Sequence, residues 1–153
     1  MQLISSSFPA GTPMPATFTC DGPNLSPPLS WMNTPPRTRS YAVICDDPDA
    51  PGGDWVHWVI YAIPSRAIGL PENLPAAATL ADGTRQGTNG FARIGYGGPC
   101  PPHGRPHRYV FKLYALDTNP PLDPGLSKAD LLRAIDGQVL AEAELTGTYA
   151  RQP

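Results

Sequence analysis

Two apolar runs, SYAVIC at 40–45 and VHWVIYAI at 56–63, are separated by only DDPDAPGGDW, and that short spacing limits the fold more than any other feature of the chain. Both runs are rich in Val, Ile, Tyr and Trp and almost free of charge. This predicts strands that are apolar on both faces and therefore covered on either side. A connection this short joins antiparallel neighbours, because a parallel crossover needs a dozen or more residues, usually a helix. A buried antiparallel pair must lie inside a layered β fold.

The remaining segments fit around that pair. QLISSSF reads as a strand, ATFTC at 16–20 as a second short extended run, and DGPNLSPP as a rigid loop leading into a short strand at Trp31. Phe91–Tyr96 is predicted as a short strand and Tyr109–Asp117 as a stronger one. In the latter, Val110, Lys112 and Tyr114 fall on one face and Tyr109, Phe111, Leu113 and Ala115 on the other. Ser127 to Asp130 matches a capping box, and Leu131, Leu132, Ile135, Val139 and Leu140 recur at helical spacing, with Gly137 a weak point. The long connection from Pro64 to Asn89 should be functional or hide a short element. ELTGTY closes the chain as a strand. The expected fold is mainly β, an antiparallel sandwich with Greek-key connections and one helix near the C-terminus, in a single domain over 1–153.

Composition bears on this at one point. The 15 glycines and 21 prolines among 153 residues approach the content of low-complexity chains. The prolines fall between apolar runs, however, and 41% hydrophobic residues suffice for a core, so they read as loop stiffeners. A net charge of -2 without a basic cluster argues against nucleic acid as the main partner. The opening MQLISSSFPAG lacks the basic and apolar regions of a secretory signal, and no apolar run is long enough to span a membrane. A cytoplasmic protein is expected, unless the chain is a trimmed mature form.

Cys45 ends an apolar strand and is expected to be an inert buried thiol. Cys20 and Cys100 both sit in Gly/Pro-rich loops, FTCDG and GPCPP, where a bridge would clamp an N-terminal loop against the second of the two stretches described next; the spacing leaves this open. Phosphate-binding loop, nucleophile elbow and CxxC signatures are absent, and no cofactor is expected.

Two polar stretches carry the chemistry. Asp46–Trp58 crowds acids, glycines, tryptophans and His57 between the two apolar strands, and GGPCPPHGRPHRY at 97–109 delivers His107 and Tyr109 into a third. A carboxylate that accepts from one imidazole nitrogen fixes the tautomer and favours the charged ring, so the other nitrogen becomes a donor. Asp47 or Asp49 can do this for His57 or His107. With the Tyr109 hydroxyl and backbone amides of a Pro-stiffened turn, the set would present several donors to one anion. By alternation Trp55 shares the His57 face and Trp58 points the other way, into the core. His103 reads as an exposed loop residue.

DPDAP, GDWVHW, YGGPCPP and PHRY resemble the phosphatidylethanolamine-binding protein family, in particular its short bacterial and archaeal members called Raf-kinase-inhibitor-like. FTCDGPNLSPPLSW, SKADLLRAIDG and LTGTY are similar to those members too, so the resemblance spans nearly the whole chain. It implies a β-sandwich with a small pocket for phosphate-type anions, including phospholipid head groups and phosphorylated side chains. On matching positions the pocket would be Asp47, Ala50, Pro51, Trp55, His57, Cys100, Pro101, Pro102, His107 and Tyr109, to which the acid reading adds Asp49. The Ala50–Pro51 bond would be cis, as in family members. Larger animal members inhibit protein kinases and some plant members act as regulatory adaptors, roles that pocket motifs alone do not transfer.

The chain departs from the larger members in its short GGDWV connection, in Cys100 where they have glycine, and in ending at 149–153 without their additional C-terminal helix, which implies a more open pocket. The expected function is a non-catalytic binding module for a phosphate-type anion, a phosphorylated small molecule or a phosphorylated protein partner; self-association as a homodimer stays open. The alternative is a metal-dependent hydrolase in which His57, His107 and Asp47 form a facial triad.

Overall fold

The central antiparallel pair forms as the short connection requires. In the computed structural model, which describes residues 1–152 and so leaves Pro153 of the expected domain outside the described residues, the elements run as follows. They are β1 (Gln2–Ile4), a 3-10 turn (Ala16–Phe18), β2 (Leu29–Met32), β3 (Ser40–Asp47), β4 (Trp55–Pro64), β5 (Gly69–Leu70), β6 (Arg85–Gln86), β7 (His107–Leu116), α1 (Lys128–Ile135) and β8 (Val139–Tyr149). β3 lies mid-sheet between β4 and β7 in a five-stranded antiparallel sheet of order β6-β4-β3-β7-β8. A three-stranded antiparallel sheet, β1-β2-β5, packs against one face. After β4 the chain leaves for the small sheet as β5, returns to the outer edge of β4 as β6, and crosses to the far side of β3 as β7.

Each face of the large sheet has its own core. Tyr109, Phe111, Leu113 and Ala115 of β7 pack with Val43, Cys45, Trp58 and Ile60 against Leu3, Trp31 and Leu70 of the small sheet. On the opposite face Tyr114 and Leu116 join Ala42, Ile44, Val59 and Tyr61 beneath Leu131 and Ile135 of α1. The period-two reading of β7 holds residue by residue. Burying each of these large apolar side chains contributes about 1.5–3 kcal/mol. No helix among the described residues is long and apolar enough to cross a membrane.

Three segments differ from expectation. ATFTC is not extended: Pro15 enters with φ -58, Phe18 N and Thr19 N donate to Pro15 O and Ala16 O, and the resulting turn drops Phe18 into the core. Phe91–Tyr96 is a loop wound around the buried Asn89. Its Oδ1 accepts from Phe91 N (2.9 Å) and Arg93 N (3.3 Å), and its Nδ2 donates to Gly95 O (2.9 Å). A side chain that satisfies nearby backbone in this way competes with a strand ladder. The helix begins as predicted, with Ser127 Oγ accepting from Asp130 N, but stops at Ile135. Gly137, at φ +79, reverses the chain, so Val139 and Leu140 extend into β8 despite their helical phase. The 64–89 connection does hide short elements, β5 and β6.

Cys20 and Cys100 are joined in a disulfide, with Cα atoms 5.3 Å apart and a sequence separation of 80. Closing a loop of that length stabilises the fold by about 4–5 kcal/mol in the chain-entropy account. Cys45 is a buried free thiol, as expected. Its pKa is pushed up by desolvation and by the nearby Asp46 and Asp47 charges.

Candidate functional site

β3 ends on Asp46 and Asp47, and the turn to β4 is closed by two hydrogen bonds. Asp49 N donates to Asp47 Oδ1 (2.7 Å), and Gly53 N donates to Ala50 O (3.1 Å). Gly52 and Gly53, at φ +86 and +111, complete the reversal. Every peptide bond among the described residues is trans, so the expected cis Ala50–Pro51 bond is corrected; the left-handed glycines supply the tight turn instead.

Pairing then slips by one residue. Cys45 lies opposite Trp58 and Asp46 opposite Val56, which leaves His57 as the extra residue of a β-bulge. The bulge breaks the alternation, so His57 does not oppose Trp58. Val56 packs toward the helix side, whereas His57 and Trp58 both turn to the other face, Trp58 toward Tyr96 and His57 toward Tyr109. The His57 and Tyr109 rings meet edge to face at 5.2 Å.

The two stretches meet as the sequence led us to expect, with one change of partner. His107 Nδ1 donates to Asp47 Oδ2 at 2.6 Å, joining the end of β3 to the start of β7. His57 takes no carboxylate. Its Nδ1 donates to the carbonyl of Gly97 at 2.6 Å, within the second stretch. Carbonyl and carboxylate oxygens only accept here, so both imidazoles carry hydrogen on Nδ1 and leave Nε2 for a ligand. His57 is buried, and desolvation lowers its pKa below the ordinary imidazole value, a fall opposed by the Gly97 hydrogen bond and the Asp47 charge. Both Asp47 oxygens are engaged, one by His107 and the other by Asp49 N.

The Tyr109 hydroxyl is the orphan of the site. Its residue is 1% exposed, and the oxygen has no hydrogen-bond partner. Burial, and then the Asp47 charge, drive its pKa well above the usual phenol value, so it stays a neutral donor.

These groups line a cavity of about 290 Å³ that is open on one side. Asp47, Ala50, Pro51, Trp55, His57, Cys100, Pro101, Pro102, His107 and Tyr109 all line it. Asp49 does not. Its carboxylate turns outward to Arg108, receiving Arg108 N (2.9 Å), Nε (3.0 Å) and Nη2 (2.8 Å), and these bonds pull its pKa to about 2. It anchors the turn and borders a separate cleft with His103 and Arg105. Phe91, which no sequence pattern singled out, completes the lining, edge-on to His57 at 5.7 Å. No group of His, Cys, Asp and Glu among the described residues is arranged to hold a metal ion.

Comparison with known proteins matches residues 4–150 to the phosphatidylethanolamine-binding protein family. The chain is 53% identical over 151 residues to a UPF0098 protein of Methanothermobacter thermautotrophicus, covering 99% of each. It is 44% identical to a UPF0098 protein of Aquifex aeolicus, covering 99% of this chain and 89% of that one. Among solved structures it superposes on a Chlamydia trachomatis protein described as a homologue of phosphatidylethanolamine-binding protein, with TM-score 0.90, 38% identity, and 99% and 97% of the two chains covered. It also superposes on Escherichia coli YbcL, described as a member of the mammalian family, with TM-score 0.87, 36% identity, and 99% and 98% covered.

Proposed function

The chain belongs to the phosphatidylethanolamine-binding protein family, and from that premise and the geometry of the cavity we propose that it is a non-catalytic binding protein whose pocket receives a phosphate-type anion, free or carried by a phosphorylated ligand. The observation that carries this reading is the pair of imidazoles, each with Nδ1 committed and Nε2 left free, that line one cavity with Tyr109, whose buried hydroxyl has no hydrogen-bond partner. Leaving such a donor unpaired costs about 1–3 kcal/mol, and an anion oxygen relieves that cost.

His107, held by Asp47, donates through Nε2 when protonated. Neutral His57 presents an Nε2 lone pair, which accepts from a protonated phosphate oxygen. An approaching anion favours the imidazolium, so binding takes up protons and tightens as pH falls. The lining offers no free nucleophile paired with a base: Cys100 is tied in its bridge, and Asp47 is occupied by His107 and Asp49. A phosphorylated protein is a partner of the same chemistry.

The test is imidazole nitrogen NMR on metal-free protein, titrated with methyl phosphate at pH 6 and pH 8. Both histidines should shift together and saturate, more strongly at pH 6. Shifts that come only after zinc is added would replace this reading with the metal-dependent one.

A further inference from the structure

Beside the anion seat lies a larger cavity of about 550 Å³, and the two share Trp55, Phe91 and Cys100. The shared wall is made of large aromatics that stay exposed, Trp55 at 39% and Phe91 at 41%. Their rings meet edge to face at 5.5 Å, and each rests on a glycine. A Cβ at Gly90 would stand 2.7 Å from Trp55, and one at Gly97 would stand 2.6 Å from Phe91. Two exposed aromatics seated this closely on backbone form a fixed apolar surface rather than a pair of free side chains.

Most polar side-chain groups around the second cavity are already committed. Asn24 Oδ1 accepts from Gly98 N (2.9 Å), the Asn89 side chain closes its own loop, and the Tyr96 hydroxyl donates to Phe18 O (2.7 Å). What is left is aromatic and disulfide surface and one cation, Arg93, which forms no ion pair among the described residues. Resting on the anion-pocket reading, we propose that the ligand has two heads. Its phosphate-type group sits on His57, His107 and Tyr109, its apolar middle crosses the Trp55–Phe91 wall, and a second anionic group, such as a carboxylate, ends at Arg93. The wall shared by the two cavities and the anion-binding groups at both ends fit one extended molecule.

Calorimetry with inorganic phosphate, methyl phosphate, hexyl phosphate and 6-phosphonooxyhexanoate separates the parts. A fully buried methylene is worth ~4-fold in affinity, and the half-open wall should give hexyl phosphate about a tenfold gain over methyl phosphate. The terminal carboxylate should add about threefold at low salt and lose that gain at high salt, as a surface pair does. Arg93→Gln should remove only the carboxylate gain, Arg93→Lys should restore part of it, and neither should change inorganic phosphate binding. If methyl phosphate binds but either gain is missing in the unaltered protein, the two-headed ligand is overturned and the anion seat stands. If none of the four binds, the anion seat itself falls.

Discussion

The two walls of the pocket hold their imidazoles in opposite ways. On the β4 wall, His57 is placed by a bulge and held by a backbone carbonyl, 3% exposed and depressed in pKa by desolvation. On the β7 wall, His107 is placed by its register opposite Tyr149 of β8, with its side chain 14% exposed, and held by the Asp47 carboxylate. Backbone support fixes orientation and tautomer without supplying charge, whereas carboxylate support does both. One wall should therefore respond strongly to mutation of an acid, and the other chiefly to pH.

The largest effect expected is at the carboxylate-held wall. His107→Ala should weaken phosphate ester binding by about 10- to 100-fold, the worth of one charge-assisted hydrogen bond, while circular dichroism stays unchanged. Asp47→Asn sharpens the contrast. It should move the His107 nitrogen signals and weaken binding while shifting those of His57, which feels the Asp47 charge without bonding to it, by much less; equal movement of both histidines would dissolve the distinction between the walls.

Tyr109→Phe comes next and should split function from stability. Removing the unpartnered hydroxyl should weaken binding about fivefold, one neutral hydrogen bond, yet leave the ligand-free protein as stable or more stable by up to ~1 kcal/mol in denaturant unfolding. A clear loss of stability would mean the hydroxyl is satisfied in the free protein.

The smallest effect belongs to the backbone-held wall and is read as pH dependence. His57 has a lower pKa folded than unfolded, so between those values the unfolded chain binds more protons. Its contribution to stability is intact above the unfolded value, near 6.5, and is lost as pH falls toward the folded value. Thermal unfolding without ligand should show a shallow decline below about pH 6.5, absent in His57→Gln. Saturating phosphate should flatten it, because the bound anion favours the charged ring.

How far these walls could be read from sequence follows the kind of information each needs. Continuous apolar runs located β3 and β4, which are covered on both faces along most of their length, and period-two patterning gave the facing of β7, where Tyr109, Phe111, Leu113 and Ala115 are buried while Arg108, Val110 and Lys112 are not. The capping box located the start of α1, but not its end, where one left-handed glycine outweighed two leucine-like positions in helical phase. The bulge at His57 was invisible, since an extra residue leaves no mark on composition and inverts the inferred direction of one side chain against Trp58. Asp49 was misplaced for a related reason. Two aspartates two apart look equivalent in sequence, and only the position of Arg108 decides which one turns outward. Phe91 and Arg93 lie on a loop shaped by Asn89, a long-range arrangement with no local signal beyond the two glycines on which the aromatics rest.

The Cys20–Cys100 bridge ties the second cavity to the world outside the protein. Disulfides last in oxidising compartments and are rare where glutathione keeps thiols reduced, so the bridge and the cytoplasmic expectation pull in opposite directions. In a reducing compartment the N-terminal loop would rest on the corner through Cys20 N to Pro99 O, Gly98 N to Asn24 Oδ1 and Tyr96 to Phe18 O alone. Each such bond contributes about 1 kcal/mol. The same chain then has a covalently closed cavity wall in one cellular setting and a hydrogen-bonded one in another, and the address of the protein becomes part of its specificity.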